Sequence, residues 1–419
     1  MQNHYDVIII GESLATRIAA VQLVKSGCRV LTFEEGLAIS PAWFASSQQL
    51  EKLLEQFSGR SCLTTPPSFQ VITPSARVDL ASRYPLEEVL LREFPKDYTG
   101  LLELFGNLKK SGEQLENALQ QSGCAPLKGL GGQFRFRWKA LRCGLGLRSG
   151  KKPLSTHLQS LQLSGESREF LQTLFSGLSL VPVEQLTMTE AALLWVSHTR
   201  EHGASASGLD TLLRQRYEQF HGKTESLEDL RQIDATTQKV QQVVLKNGSS
   251  CTADFFLVAS DTHLSKLPSL NRNALKLPER PSRAVTTALQ GKTSPLLSNR
   301  VILAGATPLR LSFGKRGEDT LCAIDIPGGA SLPTADQMVS QLQPALPFCR
   351  YQLEMPDTAQ TADVSPKRKS SFGQQTSVRL LRNTLLCHGA TIFPALGSGG
   401  DVLLGNSVAN YIESRRPKK

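Results

Sequence analysis

The sequence predicts an α/β protein made of two units, one built on a parallel sheet and one of mixed α+β type. The first observation is length, because 419 residues exceed the roughly 100–200 residues of an ordinary domain. The second is a strand, turn, helix and strand at the N terminus. The third is the order of later patterns, which predict helices over residues 99–121, 165–176 and 188–202 and then strands over 300–304, 309–313 and 321–326.

Composition is that of an ordinary globular chain and excludes a disordered or fibrous one. Hydrophobic residues make up 40% of the chain and charged residues 20%. The formal net charge of +10 allows an anionic partner. The eight cysteines contain no C-x-x-C pair, so we expect reduced, buried thiols. We expect a cytoplasmic protein, because the N terminus has no basic leader and no apolar run approaches the roughly 20 residues that span a bilayer.

The N-terminal segment has the pattern of a Rossmann-like, dinucleotide-binding unit. Residues 5–10 form a β-branched run that stops at Gly11, and apolar residues then recur at helical spacing until Gly27. Residues 30–33 form a second apolar run. In such a unit the helix N terminus faces a pyrophosphate, and an acid after the second strand accepts the ribose hydroxyls. Glu34 stands at that position, although a solvated loop charge has the same pattern.

The turn of this unit departs from the usual glycine pattern. In G-x-G-x-x-G the second glycine lets the backbone approach phosphate, and the third lets helix and strand pack closely. Gly11 keeps the first position, whereas Ser13 and Thr16 occupy the other two. We expect Ser13 to crowd the phosphate or donate a hydrogen bond to it, and Thr16 to push the helix away from the strand. The sequence leaves open whether dinucleotide binding is retained or lost, because a βαβ unit can be kept after it has stopped binding its ligand.

From Asp6 to Glu34 the chain resembles the FAD-binding start of flavoprotein oxidoreductases. Residues 69–95 are similar to the segment that follows this unit in phytoene-desaturase-like proteins, a group that also contains amine oxidases. Further on, the pattern predicts a hairpin with a turn at Asn247-Gly248. In the register of the family, Leu230 precedes this hairpin at the position whose backbone faces the adenine.

The last segment resembles the closing pattern of the same group: a strand, a glycine, then Pro-x-x-Gly-x-x-Gly before a helix. Residues 384–387 form the short strand, and residues 402–412 are predicted to be helical. The residues implied to bind the cofactor here are Gly389, Pro394, Gly397, Ser398, Gly399 and Gly400. In the family, such glycines let backbone amides reach the flavin and pyrophosphate. A plain glycine-rich turn before a terminal helix is the alternative.

The resemblance implies an FAD-dependent oxidoreductase that transfers hydride between flavin and an apolar or amine-type substrate. It implies an FAD-binding domain over residues 1–75, 205–275 and 376–419, and a substrate domain over residues 76–204 and 276–375. The residues implied to meet the pyrophosphate are Gly11, Ser13, Leu14 and Ala15. Glu34 is implied to meet the ribose. No catalytic acid or base is predicted.

A second hypothesis is a non-catalytic descendant of this fold that has lost FAD and acts as a binding or partner protein. The family usually has Gly-Gly-Arg shortly after the acid, whereas this chain continues from Gly36 with Leu-Ala-Ile-Ser-Pro. Together with Ser13 and Thr16, this makes three departures at one end of the cofactor. The C-terminal loop keeps its glycines.

Two histidines form a pattern that is typical of zinc sites, since His198, Glu201 and His202 match H-x-x-E-H. The apolar run before them predicts a helix that Gly203 ends, so both histidines fall in its last turns. Cationic side chains favour that end of a helix. Because no third ligand is identified, we predict no metal site.

Basic clusters occur at residues 109–110, 148–152, 367–369 and 415–419. They indicate solvated surface, or peripheral contact with the inner face of an anionic membrane, which would suit a lipid substrate. Aromatic residues do not interleave with these charges and no nucleic-acid-binding motif occurs, so no nucleic-acid partner is predicted. The oligomeric state has no sequence signal.

Overall fold

The computed structural model describes residues 3–36, 43–64, 68–80, 84–122, 138–139, 141–143, 153–259, 282–291, 296, 298–316, 319–327, 333–354 and 378–416. The helices within these ranges are α1 (Leu14–Lys25), α2 (Gln48–Gln56), α3 (Leu86–Glu93), α4 (Tyr98–Ser122), α5 (Leu154–Ser160), α6 (Gly165–Ser179), α7 (Met188–His198), α8 (Ala206–Gln219), α9 (Ala335–Leu342), α10 (Gly389–Ile392) and α11 (Gly397–Arg415). The strands are β1 (Asn3–Ile10), β2 (Val30–Glu34), β3 (Leu63–Thr64), β4 (Phe69–Ile72), β5 (Arg77–Leu80), β6 (Gly203–Ala204), β7 (Lys223–Ser226), β8 (Leu230–Ala235), β9 (Val240–Leu245), β10 (Ser250–Val258), β11 (Ser282–Gly291), β12 (Arg300–Leu303), β13 (Leu309–Arg316), β14 (Asp319–Pro327), β15 (Cys349–Glu354), β16 (Arg379–Leu381) and β17 (Thr384–Leu386).

The first sheet is parallel at its centre and is built from three distant parts of the chain. Its strand order is β16, β17, β10, β1, β2 and β7. β1 pairs in parallel with both β10 and β2, and the outer pairs β10 with β17 and β2 with β7 are also parallel. Ile8, Ile9 and Ile10 of β1 are buried, as expected of a strand covered on both faces. The predicted hairpin is formed by β9 and β10.

The second sheet is largely antiparallel and lies between two helical layers. Its order is β15, β11, β14, β13, β12, β4 and β5, and β4 runs parallel to β12. On one face Val301 and Leu303 belong to a core shared with Met338 and Leu342 of α9. On the other face Gly177 of α6 lies so close to β12 that an added Cβ would sit 2.3 Å from the Ile302 side chain.

The predicted fold class is confirmed: a parallel, Rossmann-like sheet is joined to a second unit of helices packed on a sheet. β4 belongs to the second sheet, although the range 1–75 assigned it to the first unit. The rest of the proposed domain division stays a prediction. Among the described residues, no helix is long and apolar enough to cross a membrane.

The helix predicted over residues 188–202 is shorter than expected. α7 ends at His198, and Gly203 and Ala204 pair as β6 with β3. His202 therefore lies beyond the helix, because the chain turns into a strand pairing that the local sequence pattern does not reveal.

Candidate cofactor site

The carboxyl ends of the parallel strands bring the two predicted cofactor motifs together. Gly11 follows β1 and donates its amide to the carbonyl of Phe33 in β2 at 2.9 Å. Cys387 follows β17 and donates to Val258 of β10 at 2.8 Å. The Ser13 hydroxyl donates to the carbonyl of Cys387 at 2.9 Å, although the two residues are 374 positions apart. Ligands of open α/β sheets bind at this edge, so we take it as the candidate cofactor site.

The start of α1 is stabilised by the two residues that replace the glycines. The Ser13 side chain accepts from the amide of Thr16 at 3.1 Å, and the Ser13 amide donates to the Thr16 hydroxyl at 2.8 Å. This reciprocal pair is a capping box, which satisfies two amides that the first turn of a helix otherwise leaves open. Leu14 and Ala15 are buried in the same turn.

Asp401 of α11 occupies an amide that was predicted to face the cofactor. The amide of Gly389 donates to Asp401 Oδ1 at 2.9 Å, and the backbone amide of Ala15 lowers the pKa of the same carboxyl group. Burial raises the pKa of Asp401, against the opposing effects of His388 and of the two amides. An added Cβ on Gly389 would lie 2.4 Å from Asp401 Oδ1, so the carboxylate fills the space beside this glycine.

Glu34 lies at the end of β2, as predicted, but it is engaged by neighbouring charges. Arg214 of α8 lies 3.2 Å from Glu34 and 3.6 Å from Glu12. Burial, and then the hydrogen bond and negative charge of Glu12, raise the pKa of Glu34 to about 7, against the lowering effect of Arg214 and Arg17. Arg17 in turn pairs with Glu12 at 3.2 Å and with Asp210. Glu34, the residue predicted to meet the ribose, is thus part of a network of charges.

A cavity of about 100 Å³ remains beneath this network, between α1, α8 and the sheet. Gly11, Glu12, Thr16, Glu34 and Arg214 are among its lining residues. Leu230 does not line the cavity, and its side chain is buried in the core at the start of β8.

The C-terminal glycine loop starts α11 and packs closely on neighbouring segments. Gly397 begins the helix, and the Ser398 hydroxyl accepts from the amide of Ala45 at 2.9 Å. Pro394 and Gly399 are half-buried, whereas Gly400 is buried, and a Cβ on Gly400 would lie 2.8 Å from that of Phe393. The loop therefore serves tight packing as well as any contact with a ligand.

A second charged cluster, formed by Trp43, His198, Arg300 and Arg310, was not predicted from the sequence. The guanidinium carbons of Arg300 and Arg310 lie 5.6 and 5.5 Å from the centre of the Trp43 ring. Arg310 pairs with Asp325 at 2.9 Å. Trp43 also donates its indole N–H to the carbonyl of Leu311 at 3.2 Å, which ties this cluster to the second sheet. The sequence signal that could have indicated this cluster is the presence of Arg300 and Arg310 within the strands predicted over residues 300–304 and 309–313.

His198 does not act as an exposed cation at a helix end, which corrects that interpretation. Its side chain is buried between Trp43 and Phe69, with ring centres 6.3 Å apart in both pairs. Burial, reinforced by Arg300 and Arg310, lowers its pKa to about 3, so the imidazole is neutral. No cluster of three metal-ligating side chains occurs among the residues that the structure describes.

The fold is similar to that of solved structures of oxidoreductases. No family model and no curated protein matches the chain. A putrescine oxidase structure is similar, with a TM-score of 0.59 and 12% identity over 99% of this chain and 100% of that one. An oxidoreductase from Methanosarcina mazei has a TM-score of 0.60 at 12% identity, with 96% and 99% of the two chains covered. Cyclohexylamine oxidase from Brevibacterium oxydans has a TM-score of 0.56 at 14% identity, with 98% of this chain and 99% of that one covered. The chain therefore shares the fold of amine oxidases and related oxidoreductases, as the sequence resemblance predicted.

Proposed function

We propose that this chain is an FAD-dependent oxidoreductase that transfers hydride between flavin and a small apolar substrate. The observation that carries the proposal is the meeting of the N-terminal and C-terminal motifs, where Ser13 contacts Cys387 at 2.9 Å. The fold shared with oxidoreductases over almost the whole length supports it. Bound flavin would supply the hydride chemistry, and the protein would orient the substrate and exclude water.

The proposed binding residues follow the edge of the first sheet. Gly11, Ser13, Leu14 and Ala15 would face the pyrophosphate, because backbone amides at a helix N terminus favour an anion. Glu34 would accept the ribose hydroxyls and Leu230 would offer its backbone to the adenine. The flavin end would lie against the C-terminal loop, at Gly389, Pro394, Gly397, Ser398, Gly399 and Gly400.

The backbone framework fits FAD, but side chains of the described residues already contact groups that it would engage. Asp401 takes the amide of Gly389, and Arg214 engages Glu34. A cavity of about 100 Å³ at the ribose end is far below the 300–1,000 Å³, in round numbers, of a small-molecule pocket. Binding of FAD therefore requires these side chains to move.

The cluster around Trp43 favours an apolar substrate over a protonated amine. The segment that carries Trp43 is held against the C-terminal loop by the hydrogen bond between Ala45 and Ser398. Arg300 on the facing sheet is a cation, whereas Arg310 is paired with Asp325 at 2.9 Å and His198 is neutral. A cationic amine beside Arg300 would be repelled, whereas an apolar molecule would not.

The second candidate function is a flavin-free binding or partner protein on the same fold. It is favoured by the same contacts that close the site, since Asp401 and Arg214 satisfy groups that a cofactor would otherwise engage. A fold can be retained after its ligand has been lost.

The test is the visible spectrum of the purified protein, before and after incubation with FAD and removal of the excess. The proposed function expects flavin absorbance that stays with the protein in stoichiometric amount. A folded but colourless protein that retains no FAD would contradict it and favour the flavin-free function.

A further inference from the structure

Asp401 is the most unusual side chain of the candidate site. Its carboxylate accepts a hydrogen bond from the amide of Gly389 at 2.9 Å, and the backbone amide of Ala15, from the opposite end of the sequence, lowers its pKa. Both residues were predicted to face FAD. A negative charge at this point has the same chemistry as a phosphate, because amides at a helix N terminus stabilise either anion.

Several neighbouring groups interact with the Asp401 carboxylate. Besides the two amides, the titratable groups that act on it are His388 and Cys387 of the C-terminal loop. His388 is itself engaged, since its Nδ1 lies 2.7 Å from the Thr391 hydroxyl. A half-buried carboxylate that accepts a hydrogen bond from an amide is far less costly than one without a partner.

The helices around Asp401 cannot move apart easily to admit a second anion. α1 and α11 pack at Gly405, where an added Cβ would lie only 2.6 Å from the carbonyl oxygen of Ala15. The Ser13–Cys387 hydrogen bond holds the loop against the start of α1 at 2.9 Å. A movement of the Asp401 side chain would make room for a pyrophosphate without separating these closely packed helices.

We infer that the Asp401 carboxyl group occupies a backbone amide predicted to face the cofactor and competes with FAD for it. This inference rests on the proposed function for the identity of the cofactor. Tight binding of FAD then requires the carboxyl group to move away, because a cofactor oxygen and Asp401 would need the same amide.

The experiment compares the full-length wild type with D401N and D401A by titration with FAD, followed through the change in flavin fluorescence. D401N removes the charge, and D401A removes both the charge and the bulk. E413Q is the matched control, because it removes one negative charge from an exposed position of the same helix. Thermal unfolding of each variant establishes that it is folded.

We expect D401A to bind FAD about tenfold or more tightly than the wild type, with D401N intermediate and E413Q unchanged. If the wild type binds FAD and folded D401A binds it no more tightly, the inference is wrong and the proposed function stands. If only the Asp401 variants bind, the inference stands and the proposed function fails for the natural chain. If folded D401A and the wild type both fail to bind, both are overturned.

Discussion

Ser13 and Thr16 stabilise the start of α1, although they stand where the usual pattern has glycines. In the glycine pattern these positions are left bare for a phosphate and for close packing. Here the two side chains form a capping box with one another, and Ser13 also binds the carbonyl of Cys387. The polar groups of the turn are satisfied within the chain, so the turn can stay ordered without a ligand.

Glu34 predicts a measurable dependence of stability on pH. Its pKa is about 7 in the folded protein and near 4.5 in an unfolded chain, so between these values the folded state holds more protons. The free energy of unfolding therefore falls as pH rises through this window. E34Q lacks this titration, and we expect its stability relative to the wild type to increase by about 1–2 kcal/mol from pH 4.5 to pH 8.

Chemical denaturation of both proteins across this pH range measures the difference. E35Q is the control, since Glu35 is exposed next to Glu34. Parallel stability curves for the wild type and E34Q would show that Glu34 does not hold a shifted pKa.

At the scale of elements, the close packing of α1 on α11 explains why residue 405 is a glycine. Gly405 faces α1, where an added Cβ would lie 2.6 Å from the Ala15 carbonyl oxygen and 2.9 Å from the Ile18 Cβ. The glycine lets two helices approach and needs no cofactor to explain it. This contact positions the start of α1 relative to the C-terminal loop.

We expect G405A to destabilise the protein by about 1–3 kcal/mol, because the new methyl group forces the two helices apart. G399A is the matched control, since the same change at Gly399 of α11 meets no atom within 4 Å. That variant should be neutral or more stable by up to about 1 kcal/mol. Both are measured by denaturant unfolding. Equal effects of the two changes would contradict this account of the helix contact.

At the scale of the molecule, the first sheet is assembled from three separated stretches. β1 and β2 come from the N terminus, β7 to β10 from the middle and β16 with β17 from the C-terminal part. β1 lies between β2 and β10, so it cannot be covered on both edges by its own half of the chain. The fold is therefore discontinuous in sequence.

This layout predicts that a cut after His202 gives two insoluble halves when each is expressed alone. The N-terminal half exposes the apolar edge of β1, and the C-terminal half exposes the edges of β7 and β10. Coexpression should restore a soluble complex, measured by copurification through a tag on one half. Two separately soluble, folded halves would be incompatible with this sheet.

The net charge of +10 is a property of the whole molecule, and the structure shows what one residue of the last basic cluster contacts. Arg416 donates to the carbonyls of Ser26 and Gly27 at 3.3 and 2.9 Å and lies 3.6 Å from Asp6, so this tail residue binds the protein itself. The clusters at residues 148–152, 367–369 and 417–419 lie outside the described residues. Peripheral membrane contact stays a prediction.

The sequence by itself determined the fold class, the N-terminal βαβ unit, the hairpin and the meeting of two distant motifs. The first three features follow from local patterns of apolar residues, glycines and turns, which constrain the backbone over a few residues. The meeting of the two motifs, and the grouping of Glu34, Ser13 and Gly389 in one predicted site, came from the resemblance to the family.

Only the tertiary structure decided what those residues contact. The hydrogen bond of Ser13 to Cys387, the contact of Arg214 with Glu34, and the buried position of His198 all join segments far apart in the sequence. No local pattern specifies such contacts, because a side chain's hydrogen bonds, charge and pKa depend on which distant groups the fold brings within a few ångströms of it.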